Sequence, residues 1–367
     1  MILHRINLIN FKNYENTKID FCAGLNCLTG LNGSGKTNLL DAIYYLSLTK
    51  SAFNSIDSQN IRHNSGFFSI KADFSLKSKD HQLQCSLKQG EKKNFKVDGA
   101  SYDKLSEHIG KFPVVLIAPN DDDLIRESSE VRRKFFDSII SQTDKSYLTG
   151  LIRYNHVLKQ RNSLLKRIFE TGKRDNALIR QYDQQIIDLS IQLCEIRANF
   201  VSDLLPGFVS HYQTLSRGKE QVDIQYISKA LDDSFPKQFA NCLEKDIVLQ
   251  RTTMGIHRDD YAFLISDNPL KKYGSQGQQK SFLISLKLAQ FEFIKANKGL
   301  TPILLLDDIF DKLDDERIQK LLEMISQQKF KQIFLTDARK ERTSELLAGV
   351  NTEIKVFEIK SNEINYA

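Results

Sequence analysis

Through the first hundred positions the apolar residues recur with the two-residue period of short strands. Residues 2–9, 24–30, 68–76 and 82–87 fit that pattern. Val97-Asp98-Gly99 has the composition of a hairpin turn between two of them. Val114-Val-Leu-Ile117 is a continuous apolar run that ends in Ala118-Pro119, and beyond that proline the period lengthens to a helical one that is expected to persist to about Leu249. Strand patterns then return at residues 302–306, 332–335 and 354–359, separated by helical stretches, as in a parallel sheet. The pattern predicts an α/β lobe from residues 1–118 and 251–367, split by a helical insertion over 119–250.

Within the insertion, Ile179, Tyr182, Ile186, Leu189, Leu193, Ile196, Phe200 and Leu204 are spaced 3 or 4 apart, a heptad-like seam on one long helix. Leu151, Tyr154, Leu158, Leu165 and Ile168 form a matching stripe on the helix before it, and the short link at Thr171-Gly172 predicts an antiparallel helix hairpin. Arg161 falls inside the arc of that stripe, so its charge is expected to meet a carboxylate on the packed side.

The chain has 367 residues, 41% hydrophobic and 27% charged, which supports a packed core and excludes disorder and repeat arrays. No window resembles a membrane span or a secretory signal, and five scattered cysteines without a C-x-x-C pair point to a reducing cytoplasm. Net charge is a mild +6. Residues 151–180 alone carry eight basic side chains against Glu170 and Asp175, a local +6. Lys159, Lys166, Arg167, Lys173 and Arg174 are the candidates there for contact with a phosphate backbone, the alternative being a solvated helix face. Tyr154 lies on the apolar stripe and the chain has no Trp, so duplex backbone contact is favoured over base stacking.

Gly30-Leu31-Asn32-Gly33-Ser34-Gly35-Lys36-Thr37 matches G-x-x-x-x-G-K-[ST] between a predicted strand and the helical run that opens at Asn38. The glycines let backbone N–H groups turn toward phosphates, Lys36 reaches the β- and γ-phosphates, and the Thr37 hydroxyl is a Mg²⁺ ligand, so ATP with Mg²⁺ is the expected cofactor pair. Residues 303–306 end in Asp307 and Asp308, the first a magnesium ligand and the second a candidate to orient or deprotonate an attacking water, or a cap of the next turn. Ser275, Gly277 and Gln278 precede a strong helix and are placed to offer an anion site. Such a site cannot easily fold onto its own phosphate loop if both lie on one face of a sheet, which suggests a nucleotide shared by two subunits. His257 stands without a second His or Cys at ligand spacing and reads as structural rather than catalytic.

The order of several short elements resembles the RecF family, recombination-repair ATPases of the ABC and SMC-type superfamily. They are Asn10-Phe-Lys12-Asn13-Tyr14, the run from Gly24 through Asn38, Pro119-Asn-Asp121, Arg132-Arg133, Gly255-Ile256-His257-Arg258-Asp259-Asp260, Ser275-x-Gly277-Gln278-Gln-Lys280, the strand into Asp308, and Asp311-x-Leu-Asp314. Ile256 stands where the family commonly has Pro; set against transporter-type ATPases, Asp308 replaces their Glu, as is ordinary for this family, and Thr336-Asp337 stands where they carry a histidine switch. The resemblance implies an ABC-type P-loop head with mixed sheets, split by the helical insertion. It implies an ATP-dependent homodimer with the signature residues Ser275, Gly277 and Gln278 acting in trans, and weak DNA-dependent ATP hydrolysis by Lys36 and Asp308. It further implies binding to double-stranded and gapped DNA in the cytoplasm and recombinase loading with RecR and RecO at gaps or stalled forks, in DNA replication, recombination and the SOS response. The alternatives are an ATP-gated scaffold with negligible hydrolysis, a transporter nucleotide-binding subunit and a small-molecule phosphotransferase. The basic hairpin and the signature segment weigh against the last two.

Overall fold

A computed structural model describes residues 1–216, 218, 220–309, 317–320, 323, 330–339, 345, 347, 352–360 and 363–366. Asp311 and Asp314 of the expected acidic loop lie outside the described residues. Along the chain the strands are β1 (Ile2–Phe11), β2 (Tyr14–Asp20), β3 (Leu25–Thr29), β4 (Phe67–Leu76), β5 (Lys79–Lys88), β6 (Asn94–Val97), β7 (Ala100–Ser101), β8 (Val114–Ile117), β9 (Val222–Ile227), β10 (Asp260–Ile265), β11 (Asn268–Pro269), β12 (Ile303–Leu306), β13 (Ile333–Asp337), β14 (Ile354–Lys360) and β15 (Glu363–Tyr366). The helices that matter for the sites are α1 (Lys36–Leu48), α2 (Asp123–Arg126), α3 (Ser129–Thr143), α4 (Lys145–Thr171), α5 (Asn176–Ser216), α6 (Phe235–Asn241), α7 (Leu243–Leu249), α8 (Leu270–Tyr273) and α9 (Gln276–Lys298).

The chain divides into two compact units, one of Met1–Asp121 with Leu283–Ala367 and the other of Asp122–Phe282. The first holds two sheets. One is antiparallel, in the order β2-β1-β4-β5-β6-β7, and the turn between β6 and β7 has left-handed Asp98 and Gly99, the geometry that fits strand twist. The other runs β15-β14-β3-β13-β12-β8, parallel throughout except for β15. Its central strands are buried along their whole length, which explains why they read as unbroken apolar runs. Leu306 pairs with Leu335 and Thr336 with Leu28, so Asp307, Thr336 and the loop after Thr29 share one carboxyl-end edge. Leu39, Leu40, Ile43 and Leu46 of α1 join Leu28, Leu305, Phe334 and residues of the antiparallel sheet in one apolar core.

The second unit is built on the α4–α5 hairpin. Ile179, Ile186, Leu189, Leu193, Phe200 and Leu204 of the expected seam are buried, as are Tyr154, Leu165 and Ile168 of the stripe. Gly172, left-handed at φ 68°, ends α4, its amide donating to the Ile168 carbonyl. Helix does not persist to Leu249 as the periodicity suggests: α5 stops at Ser216, and β9 pairs with β10, which pairs with β11, in a small antiparallel sheet. That pairing holds much of 251–282 in the second unit, although the sequence pattern assigns the stretch to the lobe. Among the described residues no helix is long and apolar enough to cross a membrane.

Candidate nucleotide site

The loop from Gly30 to Gly35 leaves the end of β3 and becomes the N-terminus of α1. Gly35 is left-handed (φ 115°) and offers no side-chain cap, so the first amides of α1 lack an intrahelical partner and carry the positive end of the helix dipole. A β-carbon on Gly35 would stand 2.5 Å from Asn13 Nδ2, and one on Gly30 would stand 2.4 Å from the Ile359 carbonyl oxygen, so both positions demand glycine. Leu31, Asn32 and Gly33 are exposed at the tip. The buried Lys36 ammonium donates to the carbonyls of Gly30 (2.7 Å) and Leu31 (3.1 Å), holding its charge over the concavity. Among the described residues the buried Ser34 Oγ finds no hydrogen-bond partner.

Asn13 and Tyr14 clasp the same loop from the side. Asn13 Nδ2 donates to the Ser34 carbonyl (3.3 Å), Asn38 Nδ2 donates to Asn13 Oδ1 (2.7 Å), and the Tyr14 hydroxyl donates to the Gly35 carbonyl (3.0 Å). Beside this clasp lies a depression of about 590 Å³ lined by Lys12, Asn13, Asn38, Gln59, Ile61, Arg62, His63 and Asn64.

The Thr37 hydroxyl lies 2.9 and 3.0 Å from the two carboxylate oxygens of Asp307, which is buried. Burial pushes the Asp307 carboxyl above its usual range and the Asp308 charge adds to the rise, while hydrogen bonds from Thr336 and Thr37 and the charge of Lys36 oppose it. A hard hydroxyl and carboxylate side by side, an unpaired Ser34 hydroxyl and a crowded negative charge are a donor set that fits Mg²⁺ carrying a polyphosphate. Asp308 is partly buried and left-handed at φ 45°. Its amide donates to Thr336 Oγ1 (2.9 Å), and that hydroxyl donates to Asp307 Oδ1 (2.8 Å).

In the second unit, Ser275 and Gln278 form a reciprocal capping box at the start of α9. The Ser275 amide donates to Gln278 Oε1 (2.7 Å), the Gln278 amide donates to Ser275 Oγ (3.3 Å), and Gln278 Nε2 donates to Glu220 (3.0 Å). Ser275 is exposed and Gly277 half-buried, so the helix start is open to a ligand. Lys159, Lys166, Arg167, Lys173 and Arg174 are all exposed on the hairpin. Two have carboxylate neighbours: Lys166 stands 3.8 Å from Glu170, and Arg174 forms a two-pronged pair with Glu244 (2.6 and 2.8 Å). Lys159 and Arg167 line a groove of about 510 Å³ with His156, Ser163 and Tyr182.

Arg161 meets two carboxylates, Asp183 and Asp246, each at 2.6 Å, and stacks over Phe239. Arg197 escaped the sequence reading although it sits between Leu193 and Phe200 on the same seam. It binds Asp137 (2.9 Å), Asp259 (3.0 Å) and the Ile256 carbonyl (2.9 Å), while Arg132 pairs with Asp260 and Arg133 donates to the Asp259 carbonyl. The Arg132-Arg133 and His257 to Asp260 elements are thus two halves of one scaffold. His257 Nε2 donates to the Thr252 carbonyl (3.0 Å) and Nδ1 accepts from the Tyr154 hydroxyl (2.6 Å), the neutral tautomer in a structural place.

The chain matches the RecF/RecN/SMC N-terminal domain over residues 2–364. A protein of Cytophaga hutchinsonii named DNA replication and repair protein RecF is 46% identical over 364 residues, spanning 99% of this chain and 96% of that one. The structure of the recombination mediator protein RecF with ATP in the RecFOR pathway superposes with a TM-score of 0.90 at 29% identity, covering 100% of this chain and 97% of that one. The Smc head domain of Pyrococcus furiosus shares the fold at 17% identity and a TM-score of 0.57, with 100% and 96% coverage. The α/β architecture is therefore the ABC-type head interrupted by a helical insertion.

Proposed function

This chain belongs to the RecF branch of the RecF/RecN/SMC N-terminal domain family, and on that premise we propose that it is an ATP-dependent DNA-binding protein of recombinational repair. ATP joins two copies on duplex DNA near single-strand gaps or stalled forks, where the dimer assists recombinase loading together with RecR and RecO and hydrolyses ATP slowly. The observation that carries the reading is the Thr37–Asp307 pair beneath a complete phosphate loop. Gly30 through Asn38 wrap the phosphates, and Lys36 exchanges its two carbonyl contacts for phosphate oxygens. Thr37 and Asp307 would hold Mg²⁺, which would supply charge neutralisation at the phosphates. The depression beside Asn13 and Asn38 accommodates the nucleoside end. Asp308 orients the attacking water, Ser275, Gly277 and Gln278 serve the nucleotide of the partner copy, and Lys159, Lys166, Arg167, Lys173 and Arg174 meet the DNA backbone. The association of RecF with the RecFOR pathway in the matched ATP structure supports the RecR and RecO partnership.

Calorimetry with Mg-ATP and DNA titration with and without ATP test this reading. The parent is expected to bind ATP and to gain DNA affinity with it. Lys36→Ala should lose a charge-assisted contact worth about 1.5 to 3 kcal/mol, roughly ten- to hundredfold in affinity. Equal ATP affinity in Lys36→Ala and the parent overturns the site, and DNA binding indifferent to ATP overturns the coupling.

A further inference from the structure

The two acids at the end of β12 depend on a third side chain that neither the phosphate loop nor the acidic strand contains. Thr336 continues the parallel pairing of Leu306 with Leu335 by one position, which sets it beside Asp307, buried in β13 next to Asp337. A threonine hydroxyl has one proton to give. Here it goes to Asp307 Oδ1 at 2.8 Å, because the other candidate, Asp308 Oδ1, stands at 3.5 Å. The same oxygen accepts from the Asp308 amide at 2.9 Å. That amide belongs to a residue held at φ 45°, a conformation that non-glycine residues adopt only when neighbouring contacts hold it.

We propose that Thr336 is the positioning residue of the hydrolytic site, its single hydroxyl holding Asp307 in place and fixing the left-handed turn that aims Asp308. The inference rests on the nucleotide reading above. Two threonine hydroxyls meet Asp307: Thr37 would hold Mg²⁺ together with it, whereas Thr336, on the neighbouring strand, restrains the carboxylate. Thr336 touches neither metal nor phosphate in this role. It acts through Asp307 and Asp308.

Thr336→Val keeps the β-branched shape that suits a buried strand and deletes both hydrogen bonds, whereas Thr336→Ser keeps the hydroxyl and deletes a methyl. Nucleotide binding is read by calorimetry with and without Mg²⁺, the bound metal by the spin-resonance spectrum of Mn²⁺ with a non-hydrolysed ATP analogue, and turnover by phosphate release. For Thr336→Val we expect metal-free nucleotide affinity within twofold of the parent, a metal-dependent gain in affinity reduced about tenfold, an altered Mn²⁺ spectrum and turnover reduced more than tenfold, with Thr336→Ser restoring all three. A valine variant with parental metal dependence, spectrum and turnover overturns the proposal. So does a serine variant as impaired as the valine one, and that comparison holds even if valine proves unstable. A parent that fails to bind Mg-ATP would instead remove the nucleotide reading itself.

Discussion

Lys36 and Asp307 could be read from the sequence because each sits in a motif whose spacing is local: six residues of loop, or four apolar residues followed by an acid. Thr336 could not. Its partners are assigned by the register of β12 on β13, and the one-dimensional pattern showed only that no histidine follows the strand. Asn13 and Tyr14 were visible as part of a recurring element, but their grip on the loop backbone became evident only when the strand edge and the loop were placed together. Asp308 poses the sharpest question at this scale, because its backbone conformation and its amide bond to Thr336 would serve a capping role as well as a catalytic one. Asp308→Asn preserves the amide and the turn while removing the basic carboxylate. It should bind Mg-ATP with parental affinity, slow phosphate release by about 10² to 10⁴, and accumulate the ATP-bound dimer. Parental turnover would leave Asp308 as a turn residue.

The long helices were the most legible elements, since an apolar seam sustained over seven turns has few competing explanations. The β9–β10–β11 sheet was hidden because β9 is six residues long and only half buried, alternating too weakly to stand out between helical segments. Helix packing also determines a pH response. His257, against α4, and His108, whose Nε2 donates to the Leu46 carbonyl, are each lowered to about 4, chiefly by burial. The unfolded chain takes up these protons first, near the ordinary value of 6.5. The stabilising contribution of each neutral ring is therefore complete above pH 6.5 and is lost as pH falls toward 4. Melting temperature should stay level from pH 8 to 7 and decline from about 6.5 downward, ahead of most carboxylates. Imidazole resonances followed by NMR should show both rings neutral at pH 5.5. Titration of either ring near 6.5 in the folded protein would contradict the buried neutral assignment.

For the molecule as a whole, the order of the short motifs along the chain carried the family, while the boundary of the insertion and the DNA surface were not legible. The stretch 251–282 falls to the lobe in the sequence pattern because the helical period is expected to end near Leu249, yet the pairing of β10 with β9 decides where it packs. The hairpin's +6, in which Glu170 and Asp175 are already counted, equals the net charge of the entire chain, but Arg174 is also answered by Glu244 of α7, so the local sum overstates what remains for a polyanion. If Ser275 and Gly277 meet the nucleotide of a second copy, ATP should create a two-fold dimer with composite sites, the closure typical of self-complementary interfaces. Two hairpins would then act on one duplex, and a contact that is weak in the monomer would gain through effective concentration. Ser275→Arg disrupts the capping box with a bulky cation at an exposed position, so the fold and ATP binding at Lys36 should persist while ATP-induced dimerisation and ATP-stimulated DNA binding disappear together. Charge reversal at Lys159, Lys166, Arg167 and Lys173 should leave the dimer intact, weaken DNA binding and flatten its dependence on salt, each lost phosphate contact lowering the slope by about 0.9. Light scattering with ATP and DNA titration across salt separate the two steps. A Ser275→Arg protein that still dimerises with ATP refutes the composite site, and a reversed hairpin with unchanged DNA affinity places the DNA surface elsewhere on the chain.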